Sequence, residues 1–257
     1  MQNKKDLKII NPELEGDTFF WEGGDDGLLL LHGLTATTAE IRPLAKRFHE
    51  EGFTVSGLLL PGHGTTPEDL NQTNRKEWID SCDIAYHELK KRCSRVFVGG
   101  ESTGGILALQ LASKHPEIKA ILLYAPAMRL ASSILKTTFL ISVSPFVFSI
   151  PKKFENDVNA IPWQGYEVNP LKAGVQLLKL QWETTKILPR IFQPILIIQG
   201  SLDKTIDLRS GDMILNGVHS AVREYHWMKE SSHVVILDKE FEEVTNISLE
   251  FIKKILD

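Results

Sequence analysis

The sequence predicts an α/β protein whose mostly parallel central sheet is flanked by helices. Two observations indicate this fold class: short apolar runs alternate with longer amphipathic stretches, and the central apolar runs are nearly continuous in Leu, Val and Ile. Strands of that composition are typical of a sheet covered on both faces. Strands that alternate with helical stretches indicate βαβ units, so most of the sheet should be parallel.

Each element follows from a local pattern. Gly52 directly follows the amphipathic stretch 38–51, and a glycine in the left-handed conformation commonly ends a helix at this position. A less regular apolar run, 18–22, predicts an extra strand that pairs with the first parallel strand as a hairpin. The parallel strands are predicted at 27–31, 54–60, 95–99, 120–124, 195–199 and 223–228. The helices are predicted at 38–51, 74–92, 103–114, 208–216 and 239–256.

Residues 128–190 interrupt this alternation. They contain no clear buried strand and are rich in aromatic residues, Ile and Pro. Because a structureless loop of this length is uncommon in a compact domain, we predict a mainly helical cap, or lid, inserted between core segments 1–127 and 191–257. Two further crossover helices of the main fold are the alternative. The aromatic residues of the segment include Phe139, Phe146, Phe148, Trp163 and Trp182.

Composition excludes several classes of protein. The 257 residues carry 29 Lys and Arg against 33 Asp and Glu, a net charge of −4, which disfavours a nucleic-acid partner. The longest uncharged apolar run, 137–151, is shorter than a membrane span. Residues 1–11 lack the apolar core of a signal peptide, so we expect none there. Cys82 and Cys93 lie too far apart along one helix-like stretch, 76–93, for a disulfide. We therefore expect a cytoplasmic protein without an integral membrane segment.

Residues 100–104 carry the strongest chemical signal. They read Gly-Glu-Ser-Thr-Gly between a predicted strand and a predicted helix. A nucleophile on such a tight turn has unfavourable backbone angles, and glycine two residues away on each side removes clashing Cβ atoms. The pattern predicts Ser102 as an exposed nucleophile at the amino end of a helix. The same glycines lack the spacing of a dinucleotide fingerprint and the Lys of a phosphate-binding loop.

A serine nucleophile needs a base and a group that orients the base. Among eight histidines, His233 follows the strand predicted at 223–228, and open α/β sheets build their sites at such carboxyl ends. Asp203 follows the strand 195–199 in the same way and is the favoured acid. Asp207 and Asp212 are the competing choices, and Asp207 is expected to begin the next helix instead.

The remaining histidines have other expected roles. His226 lies within a strand and is interpreted as a packed side chain, and His32 as structural because no metal-binding spacing surrounds it. His49, His87 and His115 fall on helices and are expected to be solvated.

Charge that develops on a carbonyl oxygen during acyl transfer needs two preorganised N–H donors. Thr103, next to the nucleophile, is expected to supply one through its backbone. Leu34, in the loop after the first parallel strand, is expected to supply the other.

With these residues in place, the chain resembles the α/β-hydrolase superfamily over nearly its whole length, and most closely its bacterial carboxylesterase and monoacylglycerol lipase group. The resemblance implies ester hydrolysis through an acyl-enzyme beneath a small helical cap, and it implies a structural loop around His63. Two departures stand out: Ile206-Asp207 replaces the Val-Pro that often follows the acid, and Glu101 occupies the variable position beside the nucleophile. The matching motifs are His32-Gly33-Leu34-Thr35, Pro61-Gly62-His63-Gly64, Gly100-Glu101-Ser102-Thr103-Gly104, Gly200-Ser201-Leu202-Asp203 and Ser232-His233-Val234.

The hypothesis is a serine hydrolase that needs neither cofactor nor metal. Ser102 attacks, His233 is the base and Asp203 orients it, while Leu34 and Thr103 bind the oxyanion. The substrate is expected to be a small-molecule ester with a short or medium apolar acyl chain. Thioester hydrolysis, C–C bond hydrolysis and a catalytically inert binding protein of the same fold are the alternatives.

Overall fold

The structure, a computed structural model, describes residues 9–131, 148–152 and 160–257. Its strands are β1 (Ile9–Ile10), β2 (Phe19–Trp21), β3 (Asp26–Leu31), β4 (Thr54–Leu58), β5 (Arg95–Glu101), β6 (Ile121–Tyr124), β7 (Ser149–Pro151), β8 (Gly165–Tyr166), β9 (Val168–Pro170), β10 (Ile195–Gly200) and β11 (Arg223–Met228). Its α-helices are α1 (Arg42–Glu50), α2 (Pro67–Gln72), α3 (Arg75–Lys90), α4 (Thr103–Lys114), α5 (Leu171–Ile187), α6 (Ser210–Gly217) and α7 (Phe241–Leu256).

Within the described residues, seven strands form the central sheet in the order β2-β4-β3-β5-β6-β10-β11. All neighbours in this sheet are parallel except β2, which runs antiparallel to β4. After β4 the chain crosses back over β3 to place β5 on its other side. Parallel α/β sheets bind ligands outside the carboxyl ends of the strands where the order reverses in this way. The loops after β3 and β5 meet at this point.

The predicted fold class is confirmed, and all six predicted parallel strands are present, with ends that differ from the predicted ones by at most two residues. The predicted hairpin partner is wrong, because β2 pairs with β4 and not with β3. The ring of Phe19 lies against Gly57, where an added Cβ would come within 2.1 Å of the ring. The absence of a side chain on β4 therefore makes room for an aromatic residue of β2.

Two helical regions differ from the predicted pattern. The stretch 38–51 divides into a 3₁₀ turn, Thr38–Glu40, and helix α1, whose first turn contains Pro43. Helix α2 was not predicted, although Thr66 caps it by accepting a hydrogen bond from the Asp69 N–H at 3.1 Å. Its short length leaves little periodicity for a sequence to show.

The described part of 128–190 contains three short strands and helix α5. Strand β8 pairs with β1, and β7 pairs with β9. Helix α5 packs against α4 of the core, where the Gln110 amide donates to Thr184 Oγ1 at 2.8 Å. Phe139 and Phe146 lie outside the described residues, so the cap and its boundaries stay a prediction.

Two other expectations concern the chain as a whole. No helix among the described residues is long and apolar enough to cross a membrane. Cys82 and Cys93 are both free thiols in the interior.

Candidate active site

Ser102 sits on a strained turn between β5 and α4. Its backbone has φ 54° and ψ −111°, a conformation that residues with a Cβ rarely adopt. The turn is held by the Ser102 N–H, which donates to the Tyr124 carbonyl at 2.8 Å, and by the Ala127 N–H, which donates to the Ser102 carbonyl at 3.1 Å. The side chain therefore projects at the carboxyl edge of the sheet with the first turn of α4 behind it.

Both glycines of the motif are required by contacts with backbone atoms. A Cβ on Gly100 would lie 2.4 Å from the Gly104 carbonyl carbon, and a Cβ on Gly104 would lie 2.1 Å from the Leu31 oxygen. Neither backbone neighbour can move aside without shifting a strand or a helix. The spacing in the sequence thus reflects the close passage of β3, β5 and α4.

The structure brings Ser102, His233 and Asp203 together from three separate loops. His233 Nε2 lies 2.9 Å from Ser102 Oγ, and His233 Nδ1 lies 2.7 Å from Asp203 Oδ2. Gly200, at the end of β10, allows the histidine loop to approach, since a Cβ there would lie 2.2 Å from the Ser232 oxygen. The three predicted side chains form one continuous hydrogen-bonded chain.

The acid is fixed by its own hydrogen bonds. Asp203 Oδ1 accepts from the N–H groups of Thr205 at 2.8 Å and Ile206 at 3.1 Å, which leaves Oδ2 for His233. The Asp203 side chain has no exposed surface. Because a carboxylate only accepts, the proton of a neutral His233 lies on Nδ1, and Nε2 is free to accept from the serine hydroxyl.

The pKa of His233 is raised above its ordinary value. Burial alone lowers it, but the carboxylate of Asp203, through its charge and its hydrogen bond, and the charge of Glu40 outweigh that effect. The surroundings of His233 therefore favour the protonated imidazole.

The competing acids lie elsewhere. Asp207 binds Arg209 through both carboxylate oxygens, at 3.0 and 2.7 Å, and its Oδ1 also accepts from the Arg209 N–H. This arrangement lowers the pKa of Asp207 to about 2. It lies just before α6, as expected, and Asp212 is exposed on that helix.

The predicted oxyanion donors lie beside the serine. The loop after β3 passes so close that a Cβ on Gly33 would be 3.4 Å from Ser102 Cβ. The loop turns sharply at Thr35, whose φ is 70°, and the Ala36 N–H donates back to the Gly33 carbonyl at 3.3 Å. In the part of the chain that is described, no carbonyl accepts from the N–H of Leu34 or of Thr103.

A buried carboxylate, which the sequence did not suggest, secures this loop. Glu40 Oε2 accepts from the Gly33 N–H at 2.6 Å, and Oε1 accepts from Trp163 Nε1 at 2.9 Å. The ammonium of Lys152 lies 4.2 Å from the centre of the Trp163 ring and donates to Thr35 Oγ1. Burial raises the pKa of Glu40 and lowers that of Lys152 to about 7. The three side chains link the loop after β3 to segments more than 100 residues further along the chain, which no local spacing reveals.

Glu101, the residue before the nucleophile, is fully buried. Neither carboxyl oxygen has a hydrogen bond of good geometry among the described residues, although the nearby Ile236 backbone favours the charged form. Burial, together with the charges of Glu40 and Asp203, raises its pKa well above the ordinary value. The neutral acid is therefore the form that the interior favours.

His32 has the structural role expected of it. Its Nε2 accepts from the Leu60 N–H at 3.1 Å, so its Nδ1 carries the proton and donates to the Gly33 carbonyl at 2.8 Å. Burial lowers its pKa to about 4, and the ring stays neutral. His63, edge-on to this ring at 4.9 Å, is buried in the same way.

The expectation for the helical histidines is wrong for His115. This residue ends α4 in the interior, and its Nε2 lies 2.5 Å from Asp83 Oδ1. Helical periodicity placed it on a solvated face, but α3 packs over that face. His87 is exposed as expected, and His226 is half-buried within β11.

Comparisons with known proteins identify the family of this chain. A family model described as serine aminopeptidase, S33, matches residues 25–159. A thermostable monoacylglycerol lipase from Bacillus sp. (strain H-257) is 35% identical over 95% of this chain and 97% of its own length. The chain belongs to this α/β-hydrolase family.

Other members extend the likeness over the whole fold. A carboxylesterase from Bacillus subtilis (strain 168) is 28% identical over 97% of this chain and 99% of its own. A solved structure from work on LipS and LipT, two metagenome-derived lipolytic enzymes, superposes on this chain with a TM-score of 0.88 and 30% sequence identity. The match covers 94% of this chain and 99% of the solved chain. The family assignment therefore holds for the core and for the described parts of 128–190 alike.

Proposed function

We propose that this protein is a serine hydrolase of carboxylic esters that works through an acyl-enzyme. The observation that carries the proposal is the hydrogen-bonded chain from Ser102 Oγ through His233 to Asp203. The relatives named monoacylglycerol lipase and carboxylesterase support the ester as the bond that is cleaved.

In the proposed mechanism, Ser102 Oγ attacks the ester carbonyl as its proton passes to His233 Nε2. Asp203 stabilises the resulting imidazolium, and the N–H groups of Leu34 and Thr103 bind the oxyanion. His233 then protonates the leaving alcohol as the ester C–O bond breaks. A water molecule then attacks the acyl carbonyl as His233 takes its proton. The bond between the acyl carbon and Ser102 Oγ breaks, His233 returns the proton to Oγ, and the acid is released.

We also propose that residues 128–190 form a cap that lines an acyl pocket for short and medium apolar chains. The exposed aromatic side chain of Phe148 supports an apolar surface in this segment. Gln181, on α5, donates to the Ala127 carbonyl at 2.6 Å and supports α5 as the part of the segment that returns to the core. The two free, buried thiols support a reducing, cytoplasmic location.

The test of the nucleophile uses Ser102→Ala with Ser113→Ala as its matched control. Ser113 lies at the far end of α4, where its hydroxyl donates to the Gln110 carbonyl at 2.9 Å. The first variant should lose p-nitrophenyl butyrate turnover and labelling by a fluorophosphonate probe, and the second should keep both. Near-full activity or labelling in Ser102→Ala would exclude this nucleophile.

A substrate panel tests the bond and the chain length. We expect p-nitrophenyl esters and monoacylglycerols with short or medium acyl chains to give higher kcat/KM than long-chain esters, acyl-CoA thioesters and β-diketones. A preference for thioesters or for C–C cleavage would contradict the proposed reaction. Folded protein that no probe labels would instead indicate a binding protein.

A further inference from the structure

Three potential metal ligands meet on the face of the protein formed by α3 and the end of α4. Asp83 and His87 are four residues apart on α3, so their side chains project from the same face. His115, the residue that ends α4, completes the group. The ligating atoms of the three residues all lie within 4.8 Å of one another.

We propose that Asp83, His87 and His115 form a binding site for a first-row transition cation, with Zn²⁺ as the favoured occupant. Two imidazoles and one carboxylate are the ligands that Zn²⁺ uses, whereas Ca²⁺ and Mg²⁺ need sets of oxygen ligands. The sequence shows no metal motif here, because His115 comes from a different helix.

The orientation of the two imidazoles fits a shared cation. Two imidazole nitrogens at about 2.1 Å from one tetrahedral Zn²⁺ place their ring centroids about 5.3 Å apart. The rings of His87 and His115 have centroids 5.1 Å apart and planes at 89°. The carboxylate lies between them, with Asp83 Oδ1 at 2.5 Å from His115 Nε2 and Oδ2 at 3.9 Å from His87 Nε2.

The buried ligand is already held by outer contacts. The Tyr86 ring stacks on the His115 ring at 4.3 Å, and the Tyr86 hydroxyl donates to Glu117 Oε1 at 2.8 Å. Glu117 Oε1 in turn lies 3.6 Å from His115 Nδ1, the nitrogen that faces away from Asp83. Metal-bound histidines in proteins donate their second ring N–H to such a carboxylate, and Glu117 would provide this hydrogen bond once the 3.6 Å contact shortened to about 3 Å.

Exposure leaves room for the rest of the coordination sphere. The His87 side chain is 56% exposed, while those of Asp83 and His115 are 19% and 9% exposed. A cation entering from the His87 side would have three protein ligands and a water molecule as the fourth.

One native cation competes for the same carboxylate. Lys114 Nζ lies 2.7 Å from Asp83 Oδ2 and would have to move when a metal binds. The bound metal would join α3 to the end of α4, so we expect it to raise the melting temperature. This effect does not depend on the proposed esterase activity, since the site contains no catalytic residue.

The test is calorimetric titration of the untagged full-length protein with ZnCl₂, together with Tm measured with and without Zn²⁺. The wild type should bind one Zn²⁺ at this site and gain thermal stability. His87→Ala and Asp83→Asn should each weaken binding by about a hundredfold, since loss of an outer-shell partner alone costs about 10–100-fold. Glu117→Gln should weaken it by about tenfold.

Two matched variants distinguish this site from adventitious histidine binding. His219→Ala removes an exposed histidine that lies near Phe192, far from the cluster in sequence, and should leave the affinity unchanged. Lys114→Gln should tighten binding about twofold to fivefold, the value of an exposed ion pair. Absence of Zn²⁺ binding by the wild type, or equal affinity in folded His87→Ala, would overturn the proposal.

Discussion

The asymmetric bonding of Asp203 makes Asp203→Asn the sharpest test of the proposed mechanism. Oδ1 accepts two backbone N–H groups at 2.8 and 3.1 Å, and Oδ2 faces His233 Nδ1 at 2.7 Å. An asparagine offers only one acceptor oxygen. If its NH₂ group faced the two backbone donors, two buried N–H groups would lose their acceptor, at a cost of about 1–3 kcal/mol each.

The amide oxygen should therefore stay with the backbone, and the NH₂ group should face His233. The imidazole then accepts through Nδ1 and carries its proton on Nε2, so it cannot take the proton of Ser102. A base held in the wrong tautomer lowers kcat by about 10⁴, equivalent to about 5 kcal/mol in the activation free energy. The fold should be unaffected, because the backbone bonds of the loop are retained.

The assay is kcat for p-nitrophenyl butyrate, with Tm measured in parallel. Asp207→Asn is the matched control, because Asp207 lies in the same loop but binds Arg209 at the surface; its kcat should stay within about twofold of the wild type. If Asp203→Asn kept kcat within tenfold of the wild type, or if Asp207→Asn lost it, the assignment of the acid would be refuted.

Three further predictions address the turn, the oxyanion loop and the buried acid. Gly104→Ala should lower the free energy of unfolding by about 3 kcal/mol or more, because its Cβ would lie 2.1 Å from a backbone oxygen. The control is Gly174→Ala, in a helix with open space around the residue, which should raise the free energy of unfolding by about 0.8 kcal/mol. Urea unfolding measures both. Glu40→Gln should shift the acid limb of the kcat/KM profile to lower pH, because activity requires neutral His233 and the Glu40 charge raises the pKa of that histidine; an unmoved limb would mean that the charge does not act on the base. Glu101→Gln should raise Tm more at pH 8 than at pH 5. Burial raises the folded-state pKa of this acid, so wild-type stability falls as pH rises from the unfolded-state pKa toward the folded-state pKa. A gain in Tm that is the same at both pH values would contradict this reasoning.

The sequence by itself determined the parallel sheet and the three residues of the hydrogen-bonded chain. Continuous apolar runs predict strands that are buried on both faces. The glycines on each side of Ser102 indicate that other backbone segments pass too close to allow a Cβ. His233 and Asp203 could be chosen because parallel strands bring all their carboxyl ends to one edge. Each of these local patterns is compatible with few three-dimensional arrangements, so it could be interpreted without the structure.

Tertiary structure alone decided the features that depend on contacts between distant segments. Glu40 is 123 residues from Trp163, and its carboxylate joins Trp163 to the loop after β3 only because both segments pack against that loop. The burial of His115 and its meeting with Asp83 follow from the packing of α3 against α4. The pairing of β2 was decided by the space above Gly57. A sequence records which face of an element is apolar, but it does not record which element covers that face, because the covering contact is set by three-dimensional packing rather than by spacing along the chain.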